Sequence, residues 1–157
     1  MNYVFDTSTL TAIFRHYFVD QFPSFWEKFN IALNEERICS VREVLNEIRE
    51  LKRNDELEHW SKENRSFFHD PTPDELAFIT TIYSVKHFQN NLARKKLLHG
   101  GPFADPFVIT KAKIENATVV AQEKFTENAA GIPNICHHFN IPCLDLKGFL
   151  ESEKWVF

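Results

Sequence analysis

The chain has 157 residues, of which 43% are hydrophobic and 25% are charged, and its formal net charge is −4. This length suits one domain with a single large core, and the 16 phenylalanines exclude a disordered chain of low hydrophobicity. The net charge excludes a general electrostatic attraction to nucleic acid. It does not exclude a nuclease, because bound cations reverse the local sign of an acidic site.

The sequence also bears on localisation. No apolar run reaches the roughly 20 residues that span a bilayer. Residues 1–6 lack the basic start and the long apolar stretch of a secretion signal. Cys39, Cys136 and Cys143 make an odd number of cysteines, which is typical of thiols in a reducing compartment. We therefore expect a cytoplasmic protein without a membrane partner.

Short apolar segments predict strands, and the amphipathic or charged segments between them predict helices. In chain order these are a strand at 2–5, two helices within 9–33, a strand at 38–41, helix over 42–64, one or two helices within 74–98, a helix from 105, a strand at 118–121, a short helix or turn at 133–139 and a strand at 141–144. This alternation predicts an α/β fold with a mainly parallel sheet of four to five strands, in one domain over 1–157.

Four acidic residues stand where such a fold places ligand sites, outside the carboxyl ends of the strands. Asp6 directly follows the first strand, and Glu123 follows the third. In the helix after the second strand, Glu47 lies at the edge of the apolar face, whereas Glu43 is expected to meet only water. Asp105 stands at the start of the helix that follows the breaker Gly100-Gly101-Pro102, and its spacing places it on the buried side of that helix.

Converging carboxylates repel each other, and a hard divalent cation such as Mg²⁺ or Mn²⁺ relieves that repulsion. Such a metal site can hydrolyse phosphodiester bonds. Each acid also has a simpler interpretation, because Asp6 and Asp105 could cap helices while Glu47 and Glu123 could be solvated surface residues. Their recurrence in the expected topological positions favours a shared site.

Two sequence segments resemble a known family. Residues 3–8, Tyr-Val-Phe-Asp-Thr-Ser, resemble the opening of PIN domains, the nuclease fold of VapC-type toxins, and residues 103–112 resemble their third acidic motif. Segments 22–26, 44–48, 57–60 and 132–136 are similar to a prokaryotic PIN-like branch formerly of unknown function. The resemblance runs nearly end to end, and the order and spacing of its motifs make it specific.

The resemblance implies an α/β/α sandwich and an endoribonuclease site that depends on Mg²⁺ or Mn²⁺. In this site Asp6, Glu47 and Asp105 hold the metal, Glu123 is the fourth catalytic acid, and Ser8 is an accessory polar residue. Asp105 or Glu123 would position the attacking water. The implied partners are an RNA substrate, a cognate antitoxin and a second copy of the chain. A PIN-like binding protein that has lost catalysis, and a DNA- or structure-specific nuclease, remain alternatives.

RNA would also need cationic contacts. Three clusters could supply them: Arg49, Lys52 and Arg53; Arg94, Lys95 and Lys96; and Lys111 with Lys113. A different metal site, formed by the cysteines and histidines within 136–143, is not favoured, because their spacing matches no common structural zinc pattern.

Overall fold

The computed structural model describes residues 2–157. Within this range, five strands and nine α-helices follow one another along the chain. They are β1 (Tyr3–Phe5), α1 (Thr7–His16), α2 (Pro23–Asn34), β2 (Ile38–Val41), α3 (Arg42–Leu51), α4 (Asp55–Glu63), β3 (Phe68–His69), α5 (Pro73–Ser84), α6 (Lys86–His99), α7 (Asp105–Glu115), β4 (Thr118–Val120), α8 (Ile132–His138), β5 (Cys143–Leu144) and α9 (Leu146–Ser152). A short 3-10 turn at Arg65–Phe67 leads into β3.

The five strands form one parallel sheet in the order β3-β2-β1-β4-β5. The predicted α/β class and parallel sheet are therefore confirmed. The chain adds β2 and β3 on one side of β1 and then crosses over to add β4 and β5 on the other side. In sheets of this kind the crevice at such a reversal, here between β1 and β4, is the usual ligand site.

Helices pack on the sheet to give the three layers of an α/β/α sandwich. Tyr3 and Phe5, two residues apart on β1, share one face and contact the ring of Phe149 on α9 at centroid distances of 4.8 and 5.1 Å. Phe5 also meets Phe29 of α2. α7 packs against β1, β2 and β4. The central strand is fully enclosed, since Val4 and Phe5 are both 0% exposed.

The structure differs from the sequence prediction at three elements. β3 has two residues, too few for a period to be recognised, and α9 follows β5 without a preceding breaker. The predicted helix over 42–64 is two helices, because Lys52 takes a left-handed conformation with φ 45° and Asn54 caps α4 through Leu57 N–H. None of the described helices combines the length and apolarity needed to cross a membrane.

Candidate acidic site

Asp6 lies at the carboxyl end of β1, where it also caps α1. Its Oδ2 accepts hydrogen bonds from the Ser8 backbone N–H (3.2 Å) and from the Ser8 hydroxyl (2.6 Å). The Ser8 Oγ in turn accepts the N–H of Gln122 at 3.0 Å, which ties this turn to the segment after β4. The Asp6 backbone N–H donates to Val120 O. The ends of β1 and β4 are thus joined directly at the carboxylate, which is 5% exposed.

Glu47 reaches the same region from α3. Its Oε1 accepts the Thr7 hydroxyl at 2.6 Å, and its Oε2 lies 3.3 Å from His99 Nε2 and 3.4 Å from the backbone nitrogen of Ala104. The residue is only 4% exposed. The prediction that Glu47 leans from the edge of its helix toward the strand ends agrees with these contacts.

Asp105 is the first residue of α7 and does not cap it, since Ala104 is the N-cap and makes no side-chain cap hydrogen bond. The carboxylate is 11% exposed and its Oδ2 lies 2.7 Å from Lys95 Nζ. Lys95 Nζ is also 4.0 Å from Oε1 of Glu123. A lysine from α6 therefore stands between two of the predicted site acids.

Glu123 follows β4, as predicted, and has a structural contact of its own. Its Oε2 accepts the N–H of Ile132 at 2.9 Å, at the start of α8. Gly131 makes this approach possible, because a Cβ there would lie 2.8 Å from the same oxygen. With its side chain 34% exposed, Glu123 is the most open of the four acids.

The four acids line one open cleft of about 660 Å³, together with Ser8. This is the volume of a typical small-ligand pocket. Arg15, Arg53, Lys95 and His99 also line it. Of the basic residues suggested by the sequence, Arg53 and Lys95 thus reach the cleft. Arg15 and His99 were not predicted, although the i, i+4 spacing of Lys95 and His99 on α6 indicates a shared face.

Burial and neighbouring negative charge raise the pKa values of two of the four acids. Burial and the nearby charges of Asp105 and Glu47 together raise the pKa of Asp6 to about 7, against the opposing hydrogen bonds from Ser8. Burial likewise raises the pKa of Glu47 to about 7, with the Thr7 hydrogen bond opposing and Asp105 assisting. Raised carboxyl pKa values of this size are typical of sites that bind cations or transfer protons.

Two sequence expectations about charged residues were wrong. Glu43 does not meet only water: it is 8% exposed and pairs with Arg42 at 2.9 Å. Lys111 cannot meet RNA, because it is 4% exposed and lies between Glu75 and Glu115 at 3.3 and 3.4 Å. The burial of Lys111 follows from the packing of α5 against α7, which the helical period does not report.

The donor chemistry of the cleft suits a hard divalent cation, because carboxylate oxygens are the ligands that Mg²⁺ and Mn²⁺ prefer. Burial and the neighbouring carboxylates raise the pKa values of Asp6 and Glu47, and a bound cation would favour their ionised forms. Between residues 2 and 157, however, no three Asp, Glu, His or Cys side chains are arranged as a formed metal site. Each acid is held by a different hydroxyl, backbone or cationic neighbour. The residues fit the ion chemically, and their side chains would have to turn toward it.

The fold and the cleft define an α/β protein with a doubly wound parallel sheet and a carboxylate-lined site at its switch point. Within this class, the chain belongs to the family described as Domain of unknown function (DUF4411), whose profile matches residues 3–157. No curated protein and no solved structure matches the chain significantly.

Proposed function

We propose that this protein is a divalent-metal-dependent endoribonuclease of the PIN type and acts as the toxin of a toxin–antitoxin pair. One observation carries the proposal: Asp6, Glu47 and Asp105, all buried residues, converge with Glu123 in one cleft at the carboxyl ends of β1 and β4. Burying three carboxylates together is costly, and a bound cation offsets that cost.

Asp6, Glu47 and Asp105 would hold Mg²⁺ or Mn²⁺. When bound, the ion would supply positive charge that stabilises the phosphoryl group and favours ionisation of water. The residues of the chain have distinct tasks around it. Ser8 fixes the orientation of the Asp6 carboxylate through its 2.6 Å hydrogen bond. Glu123, at the open side of the cleft, orients the attacking water.

The cationic rim supports a phosphodiester as the substrate. Arg15 and Arg53 line the cleft beside the acids, and guanidinium groups bind phosphate oxygens well. The cleft volume of about 660 Å³ admits a nucleotide-sized group. The choice of RNA over DNA, and the toxin role with its antitoxin partner, rest on the resemblance to PIN domains.

The test is cleavage by the purified full chain of a labelled single-stranded RNA and of the DNA of the same sequence. We expect RNA cleavage with Mg²⁺ or Mn²⁺ and none with EDTA. Asp6→Asn and Asp105→Asn should each lower the rate by about a hundredfold or more, because each removes a charged ligand. Asp74→Asn, at an exposed acid on α5, is the matched control and should cleave like the parent.

Every result decides between the alternatives. Parent-like cleavage by both Asp6→Asn and Asp105→Asn, or cleavage that persists in EDTA, contradicts the proposed site. Cleavage of DNA alone indicates a DNA nuclease that uses the same acids. A folded protein that cleaves neither polymer indicates a PIN-like binding protein. The toxin role has its own readout, since induced expression of the parent, and not of Asp6→Asn, should slow growth.

A further inference from the structure

Lys95 extends from α6 into the acidic cleft. Its Nζ lies 2.7 Å from Asp105 Oδ2, 4.0 Å from Glu123 Oε1 and 5.8 Å from the centroid of the Phe103 ring. The ammonium group is thus held by a carboxylate hydrogen bond, a second carboxylate and an aromatic face. These contacts come from two separate parts of the chain, residues 103–105 and Glu123, so the position is defined by the tertiary fold.

The other basic residues near the site interact less strongly with its carboxylates. In the part of the chain that the structure describes, Lys95 is the one lysine or arginine within 4.0 Å of any of the four acids. His99 contacts Glu47 at 3.3 Å, but it carries charge only when protonated. Arg15 and Arg53 line the cleft without such a contact, so Lys95 is the permanently charged group that directly pairs with the site acids in the described part of the chain.

Lys95 and a divalent cation need the same oxygens. Asp105 is one of the three residues proposed to hold the metal, and its Oδ2 is engaged by Lys95. A metal ion bound to this carboxylate would also be repelled by an ammonium group at hydrogen-bonding distance. Asp105 is fixed in the first turn of α7, whereas a lysine stem has four rotatable carbons and its side chain here is 36% exposed. The lysine is the partner that can move.

We propose that Lys95 is the built-in counter-ion of the acidic cleft and that a divalent metal binds only by displacing its ammonium group from Asp105. The inference rests on the proposed function for the identity of the metal ligands. Lys95 then has two effects: it stabilises the folded chain when metal is scarce, and it raises the metal concentration at which the site fills. It also accounts for carboxylates that share a cleft without being arranged as a formed metal site.

The test measures binding of Mn²⁺ alone to the full chain, by calorimetry and by the electron paramagnetic resonance of free Mn²⁺, without RNA. Lys95→Met keeps the length of the stem and removes the charge. We expect it to bind Mn²⁺ about tenfold more tightly than the parent, because the competing cation is gone. Lys96→Met, at the exposed neighbour on α6, is the matched control and should bind like the parent. Equal or weaker binding by Lys95→Met overturns the inference.

A second measurement covers the case in which Lys95→Met folds poorly. Lys95→Arg keeps the charge, so it should bind Mn²⁺ like the parent, whereas Lys95→Gln should bind more tightly. In EDTA, Lys95→Met and Lys95→Gln should melt at lower temperature than the parent, and saturating Mn²⁺ should remove that difference. Equal affinity of the Gln and Arg variants overturns the inference.

The outcomes separate this inference from the proposed function. Tighter Mn²⁺ binding by Lys95→Met in a protein that cleaves no RNA supports the counter-ion role and contradicts the nuclease. RNA cleavage that requires Asp6, together with unchanged Mn²⁺ affinity in Lys95→Met, supports the nuclease and overturns the counter-ion role. Failure of both the parent and Lys95→Met to bind Mn²⁺ overturns the inference.

Discussion

Asp6 combines a structural and a proposed catalytic task in one side chain. It caps α1 through the N–H of Ser8, and it lies buried beside Asp105 and Glu47. A helix N-terminus favours a nearby carboxylate, which compensates part of the cost of burial. The sequence could not decide between cap and metal ligand, and the structure shows that the cap does not exclude the second role. The charge state of Asp6 should therefore affect both stability and activity.

The stability of the metal-free protein should depend on the charge of Asp6. Its pKa is about 7 in the folded chain and 3.8 as an ordinary aspartate, so between these values the folded protein holds a proton that the unfolded chain has released. The free energy of unfolding attributable to Asp6 is then fully present below pH 3.8 and is lost as pH rises through 7. Asn is also a good N-cap. In EDTA at pH 8, Asp6→Asn should be more stable than the parent, on the order of 2 kcal/mol, and this difference should vanish near pH 4.

Urea unfolding at pH 4, 6 and 8 measures this difference. Glu50→Gln, at an exposed acid of α3, controls for the removal of a negative charge and should follow the parent at each pH. If the stability of Asp6→Asn falls with rising pH as steeply as that of the parent, Asp6 does not have a raised pKa in the folded chain.

At the scale of elements, three of the four acids of the cleft lie at helix starts or strand ends, and Glu47 comes from the middle of α3. Asp6 directly follows β1, Asp105 is the first residue of α7, and Glu123 lies in the segment between β4 and α8. Glu123 links two of these elements, since it accepts the N–H of Ile132 across a close approach at Gly131. Its position is thus maintained by α8 whether or not it takes part in the reaction.

Two substitutions separate these roles of Glu123. Glu123→Ala should lose about 1 kcal/mol of stability in EDTA, because the start of α8 loses its acceptor. Glu123→Gln keeps an acceptor oxygen and should unfold at the same urea concentration as the parent. If Glu123 orients the attacking water, both variants should cleave RNA more slowly. Equal stability of Glu123→Ala and the parent would contradict the structural role, and parent-like cleavage by Glu123→Gln would contradict the catalytic one.

The sequence predicted those elements whose side chains follow a clear local period. β1, β2 and β4 are apolar runs, and Pro106 marks the start of α7. The sequence did not predict contacts between residues that are distant along the chain. A lysine such as Lys111 is expected at the surface, yet it is buried and its Nζ lies 3.3 Å from Glu75 of α5. In the sequence, Lys95 is one of three consecutive basic residues, Arg94, Lys95 and Lys96. Its contact with Asp105 depends on how α6 packs beside the cleft. Such contacts depend on tertiary packing that no local pattern reports.

At the scale of the whole molecule, the strand order determines where the acids meet. Because β1 and β4 are neighbours at the reversal of the sheet, residues 6 and 123 come together across more than a hundred positions of chain. This sheet confirms the predicted α/β class, and the single domain, the antitoxin and the homodimer stay predictions. The acidic cleft is the feature that fold and charge distribution both single out.

The most direct test of the account is to locate Mn²⁺ by its anomalous scattering in crystals of the full chain. We expect an anomalous peak in the acidic cleft from Mn²⁺ bound by the carboxylates of Asp6, Glu47 and Asp105, with Lys95 Nζ moved away from Asp105. Crystals of Asp6→Asn should show this peak much weakened. Mn²⁺ bound elsewhere while the cleft stays without it, at concentrations that support RNA cleavage, would contradict the account.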